Sequence, residues 1–212
     1  KAVEISAESR GEKIFRRLSL ELPPTGCIGI SGPSGEGKST LCKILAGLLM
    51  PSEGKVLYNG SYFSWETPQN NIAYSAPENF FMETSVMDNL RAGGQYAAKV
   101  RQIPQIMELL KALPEREETV LEEGARNLSG GQRQLLALAR VMAKENARIW
   151  ILDEPAASLD RESRRQMGEL IRQAAKERCV LVITHQEDLL EQMQVSYELR
   201  DGRIMRHTGE HS

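Results

Sequence analysis

The run Cys27-Ile28-Gly29-Ile30-Ser31 leads into Gly32-Pro33-Ser34-Gly35-Glu36-Gly37-Lys38-Ser39, with Thr40 next, and these eight residues fit G-x-x-x-x-G-K-[ST]. Glycines at this spacing let the backbone curl until successive N–H groups face one anionic group. The N-terminus of a following helix adds its own partial positive charge. Lys38 would then reach the outer phosphates of a bound phosphoanhydride, and the Ser39 hydroxyl would ligate Mg²⁺. A glycine-rich turn that binds nothing is the competing reading. The context opposes it: Cys27 to Ser31 reads as a strand and Ser39 to Leu49 as a helix stopped at Pro51, so the pattern sits where a phosphate loop must sit.

A second set of reactive groups ends the apolar run Arg148-Ile149-Trp150-Ile151-Leu152 at Asp153-Glu154. Acidic residues at the C-terminal end of a parallel strand lie on the edge where α/β proteins place ligands. Asp153 would hold Mg²⁺, and Glu154 would serve as general base or water-positioner at a γ-phosphate. Capping of the next helix is the alternative for both carboxylates. A third set, Asn127-Leu128-Ser129-Gly130-Gly131-Gln132, opens a helix, and its serine, glycines and helix start form a second phosphate-seeking surface.

The Lys38 loop lies about ninety residues before Ser129, and Asp153-Glu154 about twenty after it. With these motifs the chain resembles the nucleotide-binding domain of ABC transporters. The resemblance implies ATP and Mg²⁺ as ligands, with Gly32 to Thr40 around the phosphates and Ser39 and Asp153 on the metal. Glu154, His185 and Lys38 become the catalytic groups. Ser129, Gly130, Gly131 and Gln132 would close on the nucleotide of a second, identical or different, ATPase domain in a head-to-tail dimer. Ala157-Ser158-Leu159-Asp160 resembles the loop that communicates between the two sites, which adds Asp160 to the nucleotide surface. Ile183-Thr184-His185 resembles the segment whose imidazole contacts the γ-phosphate. Thr119 to Gly124, Leu113-Pro114, Asp201 to Ile204 and Gly209-Glu210-His211 are similar to exporter-type domains, in which membrane helices precede the ATPase in one polypeptide. This implies work at the cytoplasmic face of a membrane, with the Lys1 start belonging to a fragment.

The elements that must position these groups follow from periodicity. Val3 to Ile5 and Phe15 to Leu22 predict an antiparallel hairpin around the polar Ser6 to Lys13. Residues 54–63 and 71–75 predict further strands, with turns at Asn59-Gly60 and Asn70-Asn71. Helical spacing from about 80 to 127, as in Val100 to Leu113, predicts an inserted helical subdomain broken at Gly93-Gly94 and Pro114. Then come a helix (Gly131 to Lys144), a strand (Ile149 to Leu152), a helix (Arg161 to Lys176), a strand (Cys179 to Ile183) and a helix (Gln186 to Met193). Strand and helix in alternation predict an α/β fold: a parallel-sheet core of the P-loop type, with a small antiparallel N-terminal portion, all in one domain over 1–212.

Composition excludes several classes. A net charge of −2 lacks the basic footprint of a protein that grips nucleic acid through many phosphates. Cys27, Cys42 and Cys179 lie in apolar runs without metal-ligand spacing and read as buried reduced thiols. No apolar run approaches the roughly 20 residues that span a bilayer.

Some positions depart from the family pattern. Exporter domains usually carry an adenine-stacking aromatic near position 8, whereas Ala7-Glu8-Ser9-Arg10 has none; Arg10 is a substitute or a solvated loop residue. Tyr58, Tyr62, Phe63 and Trp65 offer another adenine platform, with core and strand packing preferred. Pro77 stands where a Mg²⁺-sensing glutamine is usual, with Glu78 beside it. Glu36 is expected to point into solvent, and His207 and His211 to be tail residues. Three alternatives remain: a regulatory nucleotide-binding domain with weak hydrolysis, a non-transport ABC ATPase, and a separate importer subunit.

Overall fold

A computed structural model describes residues 1–9, 11–62, 71–92, 100 and 103–207. In chain order the strands are β1 (Ala2–Ser9), β2 (Glu12–Leu20), β3 (Gly26–Ser31), β4 (Glu53–Tyr58), β5 (Ser61–Tyr62), β6 (Ile72–Ser75), β7 (Ile149–Asp153), β8 (Cys179–Ile183), β9 (Val195–Arg200) and β10 (Arg203–His207). The helices are α1 (Lys38–Leu45), α2 (Val86–Arg91), α3 (Pro104–Ala112), α4 (Gly130–Met142), α5 (Arg161–Ala174) and α6 (Glu187–Leu190).

The strands form two sheets, an antiparallel one ordered β2-β1-β4-β5 and a larger one ordered β10-β9-β3-β8-β7-β6. All neighbours in the larger sheet are parallel except β9 and β10. Its central strands alternate between two apolar layers, as a sheet covered on both faces requires. Leu181, Ile183 and Ile151 face α1, whose Leu41 and Ile44 fill the space against Ile5, Phe15 and Leu18 of the antiparallel sheet. Val180, Val182, Trp150 and Leu152 face the other way, onto Leu138 and Val141 of α4 and Met167 and Ile171 of α5. A third layer joins Val86 and Leu90 of α2, Ile106 of α3 and Leu136 of α4 with Phe81 and Leu121.

Register fixes the functional edge. Ile30 is level with Ile183, and Ile183 with Asp153. The chain therefore leaves β3, β8 and β7 side by side, into Gly32, Thr184 and Glu154 respectively. Backbone hydrogen bonds continue the alignment past the strands, from Thr184 N to Ile30 O at 3.2 Å and from Glu154 N to Ile183 O at 2.8 Å.

Several elements differ from the periodicity. The helix expected over Ser39 to Leu49 ends at Leu45, because Gly47 takes a positive φ of 76° and closes the end. Gly47 N donates to Ile44 O at 3.1 Å and Leu48 N to Lys43 O at 2.8 Å, so glycine chemistry stops this helix before Pro51 does. The helix expected over Gln186 to Met193 is the single turn α6, after which Gln194 N donates to Cys27 O at 3.1 Å and the chain enters β9. The sequence reading had no β9–β10 hairpin, although Asp201-Gly202 between two alternating runs is a hairpin signal. Tyr62, assigned to packing, is 74% exposed with Lys55 Nζ 5.2 Å from its ring centre, while Tyr58 packs against the core. The three cysteines are buried and free, as expected. Arg10, Phe63, Trp65, Gly93-Gly94 and 208–212 lie outside the described residues. Among those described, no helix is long and apolar enough to cross a membrane.

Because Ile151 is fully buried at the centre of the strand that carries Asp153, Ile151→Ala should cost about 2–5 kcal/mol of stability. A urea unfolding midpoint measured with and without the substitution checks this.

Candidate functional site

Ser34, Gly35 and Gly37 to Thr40 line a cavity of about 410 Å³ together with Asp153, Glu154 and His185. These groups come from the ends of the three aligned strands. Gly37 precedes α1 with φ 90°, and a Cβ there would lie 2.2 Å from Ile14 Cγ2, so the loop needs glycine to pass under β2. Lys38 Nζ donates to the carbonyls of Gly32 at 2.8 Å and Pro33 at 2.7 Å. Its charge is thereby folded over the loop it belongs to.

Asp153 is 1% exposed, and neither carboxylate oxygen meets a hydrogen-bond partner of full geometry among the described residues. Burial holds its pKa above the usual carboxylate range, against the opposing influence of the Ser39 hydroxyl, Lys38, Lys43 and the Tyr74 hydroxyl. Glu154 has a positive φ of 52°, a left-handed conformation that turns its side chain back towards the loop. Its Oε1 lies 2.7 Å from His185 Nδ1, while its Oε2 is buried without a partner among the described residues. Burial raises the Glu154 carboxyl as well, with the His185 ring opposing.

The Ser129 turn, expected to seek a second phosphate, lies elsewhere in the same chain. Ser129 Oγ accepts from Gln132 N at 3.2 Å, and Ser129 N donates to Gln132 Oε1 at 2.8 Å, a reciprocal cap at the start of α4. Ser129 to Gln132 line a separate cavity of about 500 Å³ with Ser158 and Asp160. Asp160 caps α5, its Oδ1 accepting from Ser163 N at 2.8 Å. The Ser163 amide and hydroxyl hold the Asp160 carboxyl below its usual range. Within one chain, then, the Lys38 loop, Asp153, Glu154 and His185 come together, whereas Ser129 to Gln132 and Asp160 form a different surface.

Two expectations need correction or relocation. Glu36 does not point freely into solvent: it is half-buried, and its Oε2 accepts from Gly202 N of the β9–β10 turn at 3.4 Å. Pro77 and Glu78 border a cavity with Gly130 and Ser158, away from the residues that line the Lys38 cavity. Sequence reading also missed contributors to the site's frame. Tyr74, level with Ile151 in the neighbouring strand, brings its hydroxyl near Asp153, and burial pushes that phenol above its ordinary range. Gln134 Oε1 accepts from Ser158 N at 3.0 Å, and Arg164 Nε donates to Asp188 Oδ2 at 2.9 Å. No local pattern marks pairs separated by 24 residues.

This donor set fits a magnesium-bound triphosphate. Buried carboxylate oxygens without partners and a serine hydroxyl suit a hard cation, and the glycine-tight loop leaves its backbone for phosphate oxygens. Fold and cavity together define a P-loop nucleotide-binding domain. The sequence pattern of the ABC transporter family matches residues 15–157, and the chain belongs to that family as an ATPase domain. It is 30% identical over 221 residues to ABC transporter B family member 1 of Arabidopsis thaliana, covering 100% of this chain and 17% of that protein. It is 36% identical over 174 residues to the thiamine import ATP-binding protein ThiQ of Vibrio vulnificus, covering 79% of this chain and 73% of the relative. A solved bacterial Atm1-family ABC exporter with ATP bound superimposes with a TM-score of 0.87 at 25% identity, covering 96% of this chain and 37% of that one.

A carboxyl whose pKa is raised by folding costs stability while ionised, so the cost is present at neutral pH and vanishes as the pH falls through the folded pKa. Asp153→Asn removes that charge. It should raise the thermal midpoint of the ligand-free chain at pH 7, by about 2–4 °C for each kcal/mol relieved. The gain should shrink in an acidic buffer, as differential scanning calorimetry at two pH values can show.

Proposed function

We propose that this domain hydrolyses ATP to ADP and phosphate between two head-to-tail copies or near-copies of itself and thereby drives transport across a membrane. The observation that carries the reading is the division of labour within one chain. Asp153, Glu154 and His185 converge on the Lys38 loop, while the Ser129 turn lines another cavity, a separation that a head-to-tail pair would resolve by setting the Ser129 turn of one copy against the triphosphate of the other.

In this reading the loop N–H groups and Lys38 hold the phosphates, with Lys38 exchanging its own loop carbonyls for phosphate oxygens. Ser39 and Asp153 hold Mg²⁺, which supplies charge neutralisation on the triphosphate when bound. Glu154 Oε2 faces the attacking water and accepts its proton as the water oxygen bonds to the γ-phosphorus. The bond from that phosphorus to the bridging oxygen breaks, and the electron pair leaves with ADP. His185 keeps Glu154 in place through Nδ1 and offers its other ring nitrogen to the phosphate. Catalysis is thus mainly positioning and electrostatic stabilisation. Closure on ATP and opening after hydrolysis would move the helical subdomain, about 80–127, against membrane segments.

Export by a fused membrane-domain and ATPase polypeptide, acting at the cytoplasmic face, is supported by the exporter neighbour and by the small share of the longer relative that this chain spans. The likeness to the thiamine import protein favours a second reading, a separate importer subunit. The convergence of Glu154 and His185 on the loop speaks against a regulatory domain with weak hydrolysis, and the likeness to transporters speaks against a non-transport ATPase, which would share that convergence.

Glu154→Gln should lower phosphate release by about a hundredfold or more while ATP binding persists. The blocked variant should run as a dimer on size exclusion when saturated with MgATP, and Asp153→Asn should lose the Mg²⁺-dependent part of the ATP-induced rise in melting temperature. Equal phosphate release from Glu154→Gln and the parent chain would refute the mechanism.

A further inference from the structure

We propose that Arg164 is a positioning residue for hydrolysis, strapping the segment that follows Glu154 to the segment that carries His185; the inference rests on the roles proposed above for those two residues. Arg164 lies in the first turn of α5. Its Nη1 donates to Leu159 O at 2.5 Å, and its Nε donates to Asp188 Oδ1 at 3.1 Å and Oδ2 at 2.9 Å. Leu159 comes five residues after Glu154, and Asp188 three after His185. One planar guanidinium, donating in two directions, therefore joins the loop that follows Glu154 to the helical turn α6 that follows His185.

The strap is set in a packed frame. Its side chains are 19% and 31% exposed for Arg164 and Asp188, unlike the helix-surface pair Arg165 and Glu162 at 55% and 62%. On the far side of the Leu159 segment, Ser158 N is tied to Gln134 Oε1, and Gly131 is so close that a Cβ there would lie 3.1 Å from Leu159 Cδ2. On the other side, Asp188 O accepts from Gln192 Nε2 at 3.0 Å. The His185 side chain is itself 62% exposed and meets Glu154 at 2.7 Å. With a ring so open, the distance between His185 and Glu154 depends on the backbone segments that carry them. Arg164 bridges those two segments, so losing it should loosen the Glu154–His185 geometry while leaving the Lys38 loop intact.

The test is steady-state turnover and MgATP affinity of the full chain bearing Arg164→Gln, Arg164→Lys or Asp188→Asn. The expected result is a kcat reduced about tenfold or more, with KM and MgATP affinity within about twofold of the parent. Arg164→Lys should keep a near-parental melting temperature yet stay slow, because an ammonium lacks the two-way fork. Combining Arg164→Gln with Glu154→Gln should give no further loss, since the strap acts through that carboxylate. Parental turnover in Arg164→Lys, a kcat loss matched by an equal loss of MgATP affinity, or a fully additive double variant would each overturn the proposal. If Arg164→Gln does not fold, the lysine and Asp188→Asn variants read the same split. A parent chain that releases no phosphate, or releases it equally with Glu154→Gln, would instead refute the hydrolytic reading on which the strap depends.

Discussion

The pairing of β8 between β3 and β7 is the constraint on which the rest depends. Five apolar residues, Cys179 to Ile183, are buried on both faces of the sheet, so a slip of one residue would misfit close-packed side chains in two core layers at once. That penalty locks three strand ends level. The phosphate loop, the two carboxylates and the histidine are contributed by segments far apart in sequence, and no side-chain contact between them is strong enough to gather them alone. The hydrophobic register gathers them, and the polar contacts refine the result.

The same arrangement sets two buried carboxyls beside a loop built to attract anions. Each is held above its usual pKa by the low polarity around it, and among the described residues both oxygens of Asp153 and Oε2 of Glu154 lack a hydrogen-bond partner of full geometry. A fold selected for stability alone would neutralise or cover such groups. Their presence at the C-terminal end of β7, in a cavity lined by the glycine-rich loop, sets an energetic cost in the ligand-free chain beside groups that suit a magnesium-bound triphosphate.

Much of this was legible in the sequence because the informative signals are local. The octet Gly32 to Ser39, the strand ending in Asp153-Glu154, the cap at Ser129 and the β8 run are each contiguous, and strands alternating with helices predict the parallel sheet, whereas the strand order and register that unite them are seen only in the structure. What escaped was of two kinds. Helix ends were misjudged where backbone chemistry overrides periodicity, as at Gly47 and in the single turn α6. Long-range partners were invisible for a different reason: Arg164 with Asp188, Gln134 with Ser158 and Glu36 with Gly202 join residues whose spacing carries no pattern. The β9–β10 hairpin was readable from Asp201-Gly202 and was passed over.

The Glu36 contact ties the phosphate loop to the far end of the described chain. A negative side chain in a phosphate-seeking loop would repel the ligand if it leaned inward, and Gly202 N, 166 residues away, draws it outward. The turn at Asp201-Gly202 also sits against β2 so tightly that a Cβ on Gly202 would lie 3.2 Å from Phe15 Cα. The last hairpin therefore holds the Glu36 carboxylate outside the cavity that the Lys38 loop lines. A change in the length or twist of that hairpin would release the contact that fixes where this charge sits.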